Sequence, residues 1–561
     1  MMKHNYYTTL GLVLLFCVTG RSQTIRIDGD YSDWDNIAPI EIDVNNDGRP
    51  NGIDIGEIKV YDDTEFIYFF VDIQREIDLQ EDNEFAVYVD FDNDINTGFR
   101  INGIGSEVRY FFGERDAFVS TNGLDFFADW DEIELIAAPG VSAEQFEFRF
   151  AKNISEPLTV SAESVIRFRF EDNSFNGDEA PNDLGGIEYT LQNNDFEKPA
   201  ISLSRENTSQ FRVMSYNIEN DQLFDTERTQ YFDRIFNATN PDIILFQEIR
   251  DFSATETRNR VSQFISGNWS AREEGFGTTI VTKYEIIASE NIDANGAYLL
   301  DIEGQDVLFI NCHLPCCDND TDRQQEVDNV MRFIREIKEG NGEIDVESGT
   351  PIIIGGDMNF VGDNNQLNTF LTGDIFFNGS FGADFPPDWD DSNLESADAT
   401  TTGVHANYTW YNPFGSFLPG KLDWIFYTGS RLILDNTFAL FTPEMTEDAL
   451  SLYQLESNDV LFAADHLPLI ADFRLGITNT EDNVSVKVEL YPNPTSDFIR
   501  IQSEETILDI EVVDQTGKRI ASMHGSQSNT QDIDTNEWNS GLYYIRVHTK
   551  SGESIRKIAR Y

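Results

Sequence analysis

The sequence predicts a multidomain chain whose parts differ in fold class: an all-β sandwich, then a layered α/β domain, then a small all-β domain. Three observations carry this. Short β-type runs alternate with Asp/Asn/Gly loops from about Thr24 to Gln192. Between about Glu206 and Gly476 the rhythm changes to buried-strand runs separated by amphipathic helical patterns. Short strands return at 489–561, after a polar linker at 477–488. The length, 561 residues, suits about three to four domains of roughly 100–200 residues each.

Composition narrows the class. Lys+Arg number 39 against 100 Asp+Glu, a formal charge of −61, while 40% of residues are apolar and 43 are Phe. That much apolar and aromatic material builds real cores and excludes a disordered acidic chain. It also sets aside collagen and coiled coil. The charge argues against coating DNA or anionic lipid by bulk electrostatics. It does not argue against cutting a phosphodiester at a metal-loaded pocket.

At the N-terminus, Lys3 and His4 precede the apolar stretch Leu10–Val18, and small or polar residues run to Gln23. Residues 1–23 therefore read as a secretory signal peptide, too short to span a bilayer comfortably. No other segment reads as membrane-inserting. Removal of the signal leaves Cys312, Cys316 and Cys317, an odd number, so the mature chain is not a disulfide scaffold.

The first domain, 24–192, contains the strand runs Phe66–Val71, Phe85–Val89 and Phe146–Phe150. Two of its loops alternate oxygen donors. Asp43, Asn45, Asp47, Gly48 and Asp54 follow the spacing of a calcium loop without flanking helices, and Asp92, Asp94 and Asn96 repeat its first part. Ca²⁺ takes roughly 6–8 oxygens, which alternate residues of a tight loop can supply. The alternative is ordinary acidic loops in an acidic chain.

The second domain, 206–476, opens with the strand Phe211–Ile218 and a helical pattern placing Tyr231, Phe232, Ile235 and Phe236 on one side. The buried-strand run Ile243–Gln247 follows. A clearer helix has Asp322 as its expected cap, Gln325 three residues on, and a stripe of Val327, Val330, Met331, Ile334 and Ile337. Strands Val307–Ile310, Pro351–Ile354 and Leu422–Phe426 surround it. In the third domain, Leu490–Asp497, Val512–Gly517 and Gly541–Val547 make strands, with Asp514–Gly517 as hairpin chemistry.

The chemistry concentrates in the middle domain. Asn217 ends one strand and Glu248 the next; His313 follows a third; Asp357 and Asn359 follow a fourth; Asp423 lies in a fifth, and Asp465-His466 precedes Leu467. Polar residues at strand ends of a layered α/β domain converge on one crevice. Carboxylate and amide oxygens suit Mg²⁺ or Mn²⁺, whereas zinc prefers imidazole and thiolate. A carboxylate–histidine pair orients an imidazole as base or stabilises its charged form. No Gly-x-Ser-x-Gly elbow or Walker-type loop is present, which leaves serine hydrolase and NTPase readings unsupported. Taken singly, each Asp or Asn caps a turn as readily as it binds a ligand. Trp410 either packs beside its strand or stacks on a base.

As an ordered set, Ser215–Glu219, Phe246–Glu248, Cys312–Leu314, Gly356–Asn359, Leu422–Phe426 and Ala464–Pro468 resemble the endonuclease/exonuclease/phosphatase superfamily. The resemblance implies a four-layer α/β/β/α sandwich and hydrolysis of phosphate esters. It implies Glu248 as principal metal carboxylate, helped by Asn217 and Asp465, with Asp357 and Asn359 orienting water or phosphate. Asp423 would orient His466, and His313 matches the second histidine of the nuclease and sphingomyelinase branches. An extracellular nuclease acting on DNA or RNA is the leading expectation; a sphingomyelinase-type phospholipase or a non-catalytic surface-binding protein are the alternatives. Cys312-His-Leu-Pro-Cys-Cys317 departs from the family pattern, and a disulfide among Cys312, Cys316 and Cys317 is an open expectation.

Two further resemblances flank this one. Ile27–Trp34 with Tyr88–Gly98 resembles the family 9 carbohydrate-binding-like and DOMON-like sandwiches, which implies a cell-surface glycan as partner, a spacer role being the alternative. Tyr491-Pro-Asn-Pro494, the aspartate–glycine turn and Gly541-Leu-Tyr-Tyr544 resemble the type IX secretion sorting domain, a small all-β sandwich. That implies contact with the type IX machinery and a secreted or cell-surface protein.

Overall fold

A computed structural model describes residues 24–476 except 122–123, 155–163, 206 and 208, and residues 488–560 except 494, 504, 515–517, 526–527, 537, 539–540 and 551–552. The expected signal peptide, most of the expected linker and most of the Asp514–Gly517 turn lie outside the described residues. The chain divides into two compact units, Met1–Gly476 and Ile477–Tyr561.

The first unit opens with two face-packed antiparallel sheets. Strands β1 (Glu57–Asp62), β2 (Phe66–Ile77) and β5 (Ala143–Ala151) are the middle of a five-stranded sheet. Strands β3 (Phe85–Asp90), β4 (Val108–Phe111) and β6 (Val165–Asp172) belong to a seven-stranded one. The inner faces meet through phenylalanine: Phe69 of β2 stacks on Phe148 of β5 at 5.3 Å and meets Phe168 of β6 edge-on at 5.1 Å. Burying each such ring is worth about 1.5–3 kcal/mol.

Strand β2 is buried on both faces from Phe66 to Val71. Ile67, Phe69 and Val71 point into the sandwich, while Phe66, Tyr68 and Phe70 pack in one cluster with Val404, Ala406 and Tyr408 of the following domain. A near-continuous apolar run is what two-sided burial requires. The N-terminal segment adds to the same seam, where Ile27 N–H donates to the His405 carbonyl at 2.9 Å. Trp34 is fully buried there, its indole N–H donating to Glu147 Oε2 at 2.8 Å.

The second part of this unit is the four-layer α/β/β/α sandwich. Strands β7 (Phe211–Asn217), β8 (Ile243–Gln247) and β12 (Leu469–Leu475) lie at the centre of one sheet. Strands β9 (Gln305–His313), β10 (Ile352–Asp357) and β11 (Asp423–Tyr427) belong to the other. Val213, Leu245, Phe309, Ile353, Ile425 and Phe473 fill the space between the sheets. Gly355 faces that space, where an added Cβ would sit 2.7 Å from Leu245 Cδ1; at Gly356, with φ +152°, it would sit 1.9 Å from the Cys312 carbonyl. Helix α1 (Thr229–Thr239) covers the first sheet through Phe232, Ile235 and Phe236. Helix α2 (Asp320–Lys338) covers the second through Val327, Val330, Met331, Ile334 and Ile337, the stripe expected from the sequence. Its start differs from the expectation. Asn319 is the cap residue and Asp322 lies in the first turn, where an acidic side chain suits the positive end of the helix dipole.

The second unit is a small β-sandwich of a three-stranded and a four-stranded sheet around Ile499, Ile501, Ile510, Val512, Ile545 and Val547. Among the described residues, no helix is long and apolar enough to cross a membrane.

Candidate active site

Strand register assembles the site. β9 and β10 run parallel with His313 opposite Asp357, and β10 and β11 run antiparallel with Asp357 opposite Asp423. Three polar residues from three strands therefore form one row at the sheet edge. In the facing sheet β7 and β8 pair with Asn217 opposite Gln247, so Glu248 is the first residue past the ladder. Glu248 and Asn359 adopt left-handed backbone, φ +62° and +48°. For non-glycine residues this conformation costs free energy and is concentrated at functional sites.

The side chains converge. Asn217 Nδ2 donates to Asp357 Oδ2 at 2.9 Å and lies 3.4 Å from Glu248 Oε1. His313 Nε2 is 3.7 Å from both Glu248 Oε1 and Asp357 Oδ2, and His466 Nε2 is 3.7 Å from the same Asp357 oxygen. The Asn220 backbone N–H holds Glu248 Oε2 at 2.7 Å. Asn217 here presents an amide N–H to the carboxylates, its own oxygen accepting from Glu219 N–H at 3.0 Å.

His466 Nδ1 donates to Asp423 Oδ2 at 2.8 Å, and the Leu422 and Asp423 backbone N–H groups bond the Thr409 hydroxyl. Burial alone would lower the affinity of His466 for a proton. The carboxylates of Asp423 and Asp357, with Asp465 further off, outweigh it and hold the imidazole well above its ordinary pKa. The proton shared by this pair rests on the ring. Burial also raises Glu219, helped by Asp465 and Glu248, which places a carboxylate not foreseen from the sequence beside the centre.

Asp465 Oδ2 accepts from the Trp410 indole N–H at 3.1 Å, so Trp410 is a half-exposed residue of the site wall rather than a core aromatic. Asn359 donates one amide N–H to the Leu314 carbonyl at 2.9 Å and ties the end of β9 to that of β10. Among the described residues the three cysteines are not bridged: Cys312 is buried among the residues under α2, while Cys316 and Cys317 are exposed with sulfurs 2.6 Å apart.

The acidic loops of the first domain form two clusters, with membership different from the sequence spacing. Asp43 and Asp47 join Asp178, and Asp92 joins Asp90 and Glu107. Asn45 instead accepts from Gln74, Asp54 from the Asn46 N–H, and Asp94 from Asn96. An Asx turn redirects Asp94, whose oxygen bonds the N–H two residues on, while Asn45 and Asp54 are taken up by partners farther away in the chain. Asp43 Oδ2, Asp90 Oδ1 and Glu107 Oε1 are buried without a hydrogen-bond partner among the described residues. Sequence spacing missed Asp90, Glu107 and Asp178 because strand pairing and a distant loop bring them in.

The centre lies in a cleft of about 1570 Å³ lined by both domains of the first unit. Glu248, His313, Asp357 and His466 lie on one side, with Arg75, Asp78, Gln80 and Arg115 of the sandwich among the other lining residues. The sandwich is pinned on two banks. Ser142 N–H donates to the Gly362 carbonyl at 2.7 Å, and Leu418 N–H donates to Gln80 Oε1 at 2.8 Å. This wall depends on domain docking and leaves no mark in local sequence pattern.

Residues 214–444 match the Endonuclease/Exonuclease/phosphatase family, and residues 489–559 match the secretion system C-terminal sorting domain. The first match stops short of Asp465 and His466, which the structure nevertheless places in the same centre, on the turn into β12. Solved structures similar to this chain include the human nocturnin catalytic domain with bound sulfate (17% identity, 48% of this chain, 97% of that one, TM-score 0.31). A family protein from Leptotrichia buccalis (14%, 48% and 100%, TM-score 0.32) and truncated Caenorhabditis elegans TDP2 (18%, 47% and 98%, TM-score 0.32) are others. No curated protein sequence matches the chain. The chain thus carries an Endonuclease/Exonuclease/phosphatase family domain at its centre and a secretion sorting domain at its C-terminal end.

Proposed function

We propose that the protein is a secreted, divalent-cation-dependent phosphodiesterase, and specifically an extracellular nuclease. One observation carries the reading: 3.7 Å contacts link Glu248 to His313, His313 to Asp357 and Asp357 to His466 across two sheets. The donor set is carboxylate oxygen flanked by imidazole, which fits a hard cation such as Mg²⁺ or Mn²⁺. Glu248 and Asp357 would hold it, with Asp465 and Glu219 next to them and Asn217 orienting the carboxylates. When bound, the cation supplies Lewis acidity and neutralises charge on the phosphoryl oxygens.

The remaining chemistry belongs to the chain. His466, anchored at Nδ1 by Asp423, holds or moves a proton at Nε2, the atom facing Asp357. His313 Nε2 is placed to donate to a phosphoryl oxygen, and the second amide N–H of Asn359 to another. Together they orient an ester for in-line attack by water and stabilise charge as it develops.

Export through the type IX machinery to the medium or cell surface accompanies this reading, carried by the C-terminal domain. The two acidic clusters of the sandwich are read as Ca²⁺ sites, because buried carboxylate oxygens without partners need a cation. The deciding experiment is a panel of plasmid DNA, RNA, sphingomyelin and bis-p-nitrophenyl phosphate, each with Mg²⁺, Mn²⁺, Ca²⁺ or EDTA. Cation-dependent cleavage of nucleic acid is expected. Hydrolysis of sphingomyelin alone would replace the nuclease reading with a phospholipase, and inertness toward all four would favour a surface-binding protein.

A further inference from the structure

The sandwich need not touch the catalytic centre to serve as an anchor or spacer, yet it lines the same cleft. Its placement is fixed. Beyond the buried seam around Phe70 and Ala406, it is bonded to the 362–364 loop through Ser142 and to the 415–418 loop through Gln80 and Trp130. Arg115 stacks on Phe417 of the second loop at 4.1 Å. Two loops of the catalytic domain that border its centre thus end on the sandwich.

Between these banks the cleft has three chemical features. Carboxylates crowd part of its lining: burial raises the proton affinity of Asp78 and Glu81 of the sandwich, and the charge of Asp320 of α2 adds to the first and those of Asp78 and Asp318 to the second. Aromatic faces line it, from Phe276, Phe417 and Trp410. One cation stands apart. Arg75, near the end of β2, is exposed in the cleft wall and makes no hydrogen bond or ion pair among the described residues, although Glu76 and Asp78 are close in sequence. Most arginines of this acidic chain are engaged by a carboxylate or a backbone carbonyl, so a free guanidinium in the wall of the same cleft is available to an incoming anion.

We propose that the β-sandwich is a working wall of the active-site cleft and that Arg75 is a substrate-contacting residue, gripping the phosphate next to the scissile one in a single-stranded nucleic acid. This rests on the phosphodiesterase reading above. A guanidinium binds a phosphate by paired, charge-assisted hydrogen bonds. The choice of a single strand follows from the walls. A duplex carries about one charge per 1.7 Å, counting both strands, and its second backbone would face those carboxylates. A single strand presents one backbone to Arg75 and the centre, and its unstacked bases can lie on Phe276, Phe417 and Trp410.

The test uses the full chain, wild type and Arg75→Ala, with Mg²⁺ and three substrates: a single-stranded 12-mer DNA, the same sequence as a duplex, and bis-p-nitrophenyl phosphate, which has no neighbouring phosphate. Wild type should cleave the single strand at least about thirtyfold faster than the duplex. Arg75→Ala should lower the ratio of kcat/KM on the 12-mer to that on bis-p-nitrophenyl phosphate by about tenfold, chiefly through KM, with Arg75→Lys recovering part of it. The slope of log KM against log salt for the 12-mer should shrink by about 0.7, the signature of one lost contact to a single strand. An unchanged ratio, or a duplex cut as fast as the strand, overturns the inference while leaving the phosphodiesterase standing. Wild-type inertness toward all three overturns both. Arg75 is exposed and unpaired, so matching melting curves will show that the variants fold.

Discussion

Asp423 and His466 form a buried pair, Oδ2 to Nδ1 at 2.8 Å, with the free Nε2 of His466 turned toward Asp357. Asp423 fixes which nitrogen bears the anchoring proton, and its charge supports the imidazolium. Asp423→Asn keeps the shape and removes the charge. Turnover on bis-p-nitrophenyl phosphate should fall by roughly 10²–10⁴-fold with little change in KM, and the His466 ring should titrate at lower pH by NMR. Undiminished kcat in a folded variant would remove the pair from the chemistry.

Glu248 has a different part. Its carboxylate lies at the meeting point of Asn217, His313 and the Asn220 backbone N–H. Glu248→Gln retains the volume and takes away the charge that would hold a cation. The Mg²⁺ concentration giving half-maximal activity should rise at least tenfold, roughly the scale of ligand-environment losses at metal sites. EDTA should abolish wild-type activity and added Mg²⁺ restore it. A variant with the wild-type Mg²⁺ requirement would show that the cation is held elsewhere.

Much of this centre was legible in the sequence because each residue sits at a fixed step from a strand's apolar run. Once β7, β8, β9 and β10 are placed by their hydrophobic patterns, Asn217, Glu248, His313 and Asp357 must fall at strand ends. Parallel register then brings His313 opposite Asp357. Glu219 was missed because its proximity to Asp465 depends on the turn after Asn217. The acidic loops show the opposite failure. Alternation of Asp43, Asn45 and Asp47 or of Asp92, Asp94 and Asn96 implies shared direction, but local Asx turns use up Asp94, and the true neighbours Asp90 and Glu107 come from β3 and from the residue just before β4. Arg75 was invisible for a third reason: its partner surface belongs to another domain.

Those acidic clusters make a stability prediction. Asp43 Oδ2, Asp90 Oδ1 and Glu107 Oε1 are buried and unpartnered, a desolvation cost of about 1–3 kcal/mol per group or more when charged. Ca²⁺ that binds the folded chain alone stabilises it by about 2.7 kcal/mol at a hundredfold excess over Kd. Millimolar Ca²⁺ should therefore raise the melting temperature by several degrees, and Glu107→Gln should lose part of the response while resisting EDTA better than wild type. A melting temperature indifferent to Ca²⁺ in both would mean that the buried carboxylates are satisfied without a cation.

The seam that positions the sandwich wall should respond to pH through His405. Its Nε2–H donates to the Glu197 carbonyl at 2.7 Å, and its own carbonyl accepts from Ile27. Burial lowers its pKa below the ordinary 6.5, with Arg149 and Arg26 adding to the effect. The sign follows from proton counting. Above pH 6.5 the ring is neutral in the folded and unfolded chain alike, so it contributes no slope. Below it the unfolded chain takes up a proton that the folded chain resists, so stability falls as pH drops toward the depressed value. His405→Gln keeps a donor for Glu197 and has nothing to titrate. Between pH 7.5 and 5 the melting temperature of wild type should fall about 1–2 °C further than that of the variant. Parallel curves would mean that the folded seam leaves the proton affinity of His405 unchanged, and a steeper fall in the variant would reverse the assigned direction. Because Ile27 and His405 bond across the two domains, the same acid range should loosen the wall that carries Arg75 before it disturbs Asp423 and His466.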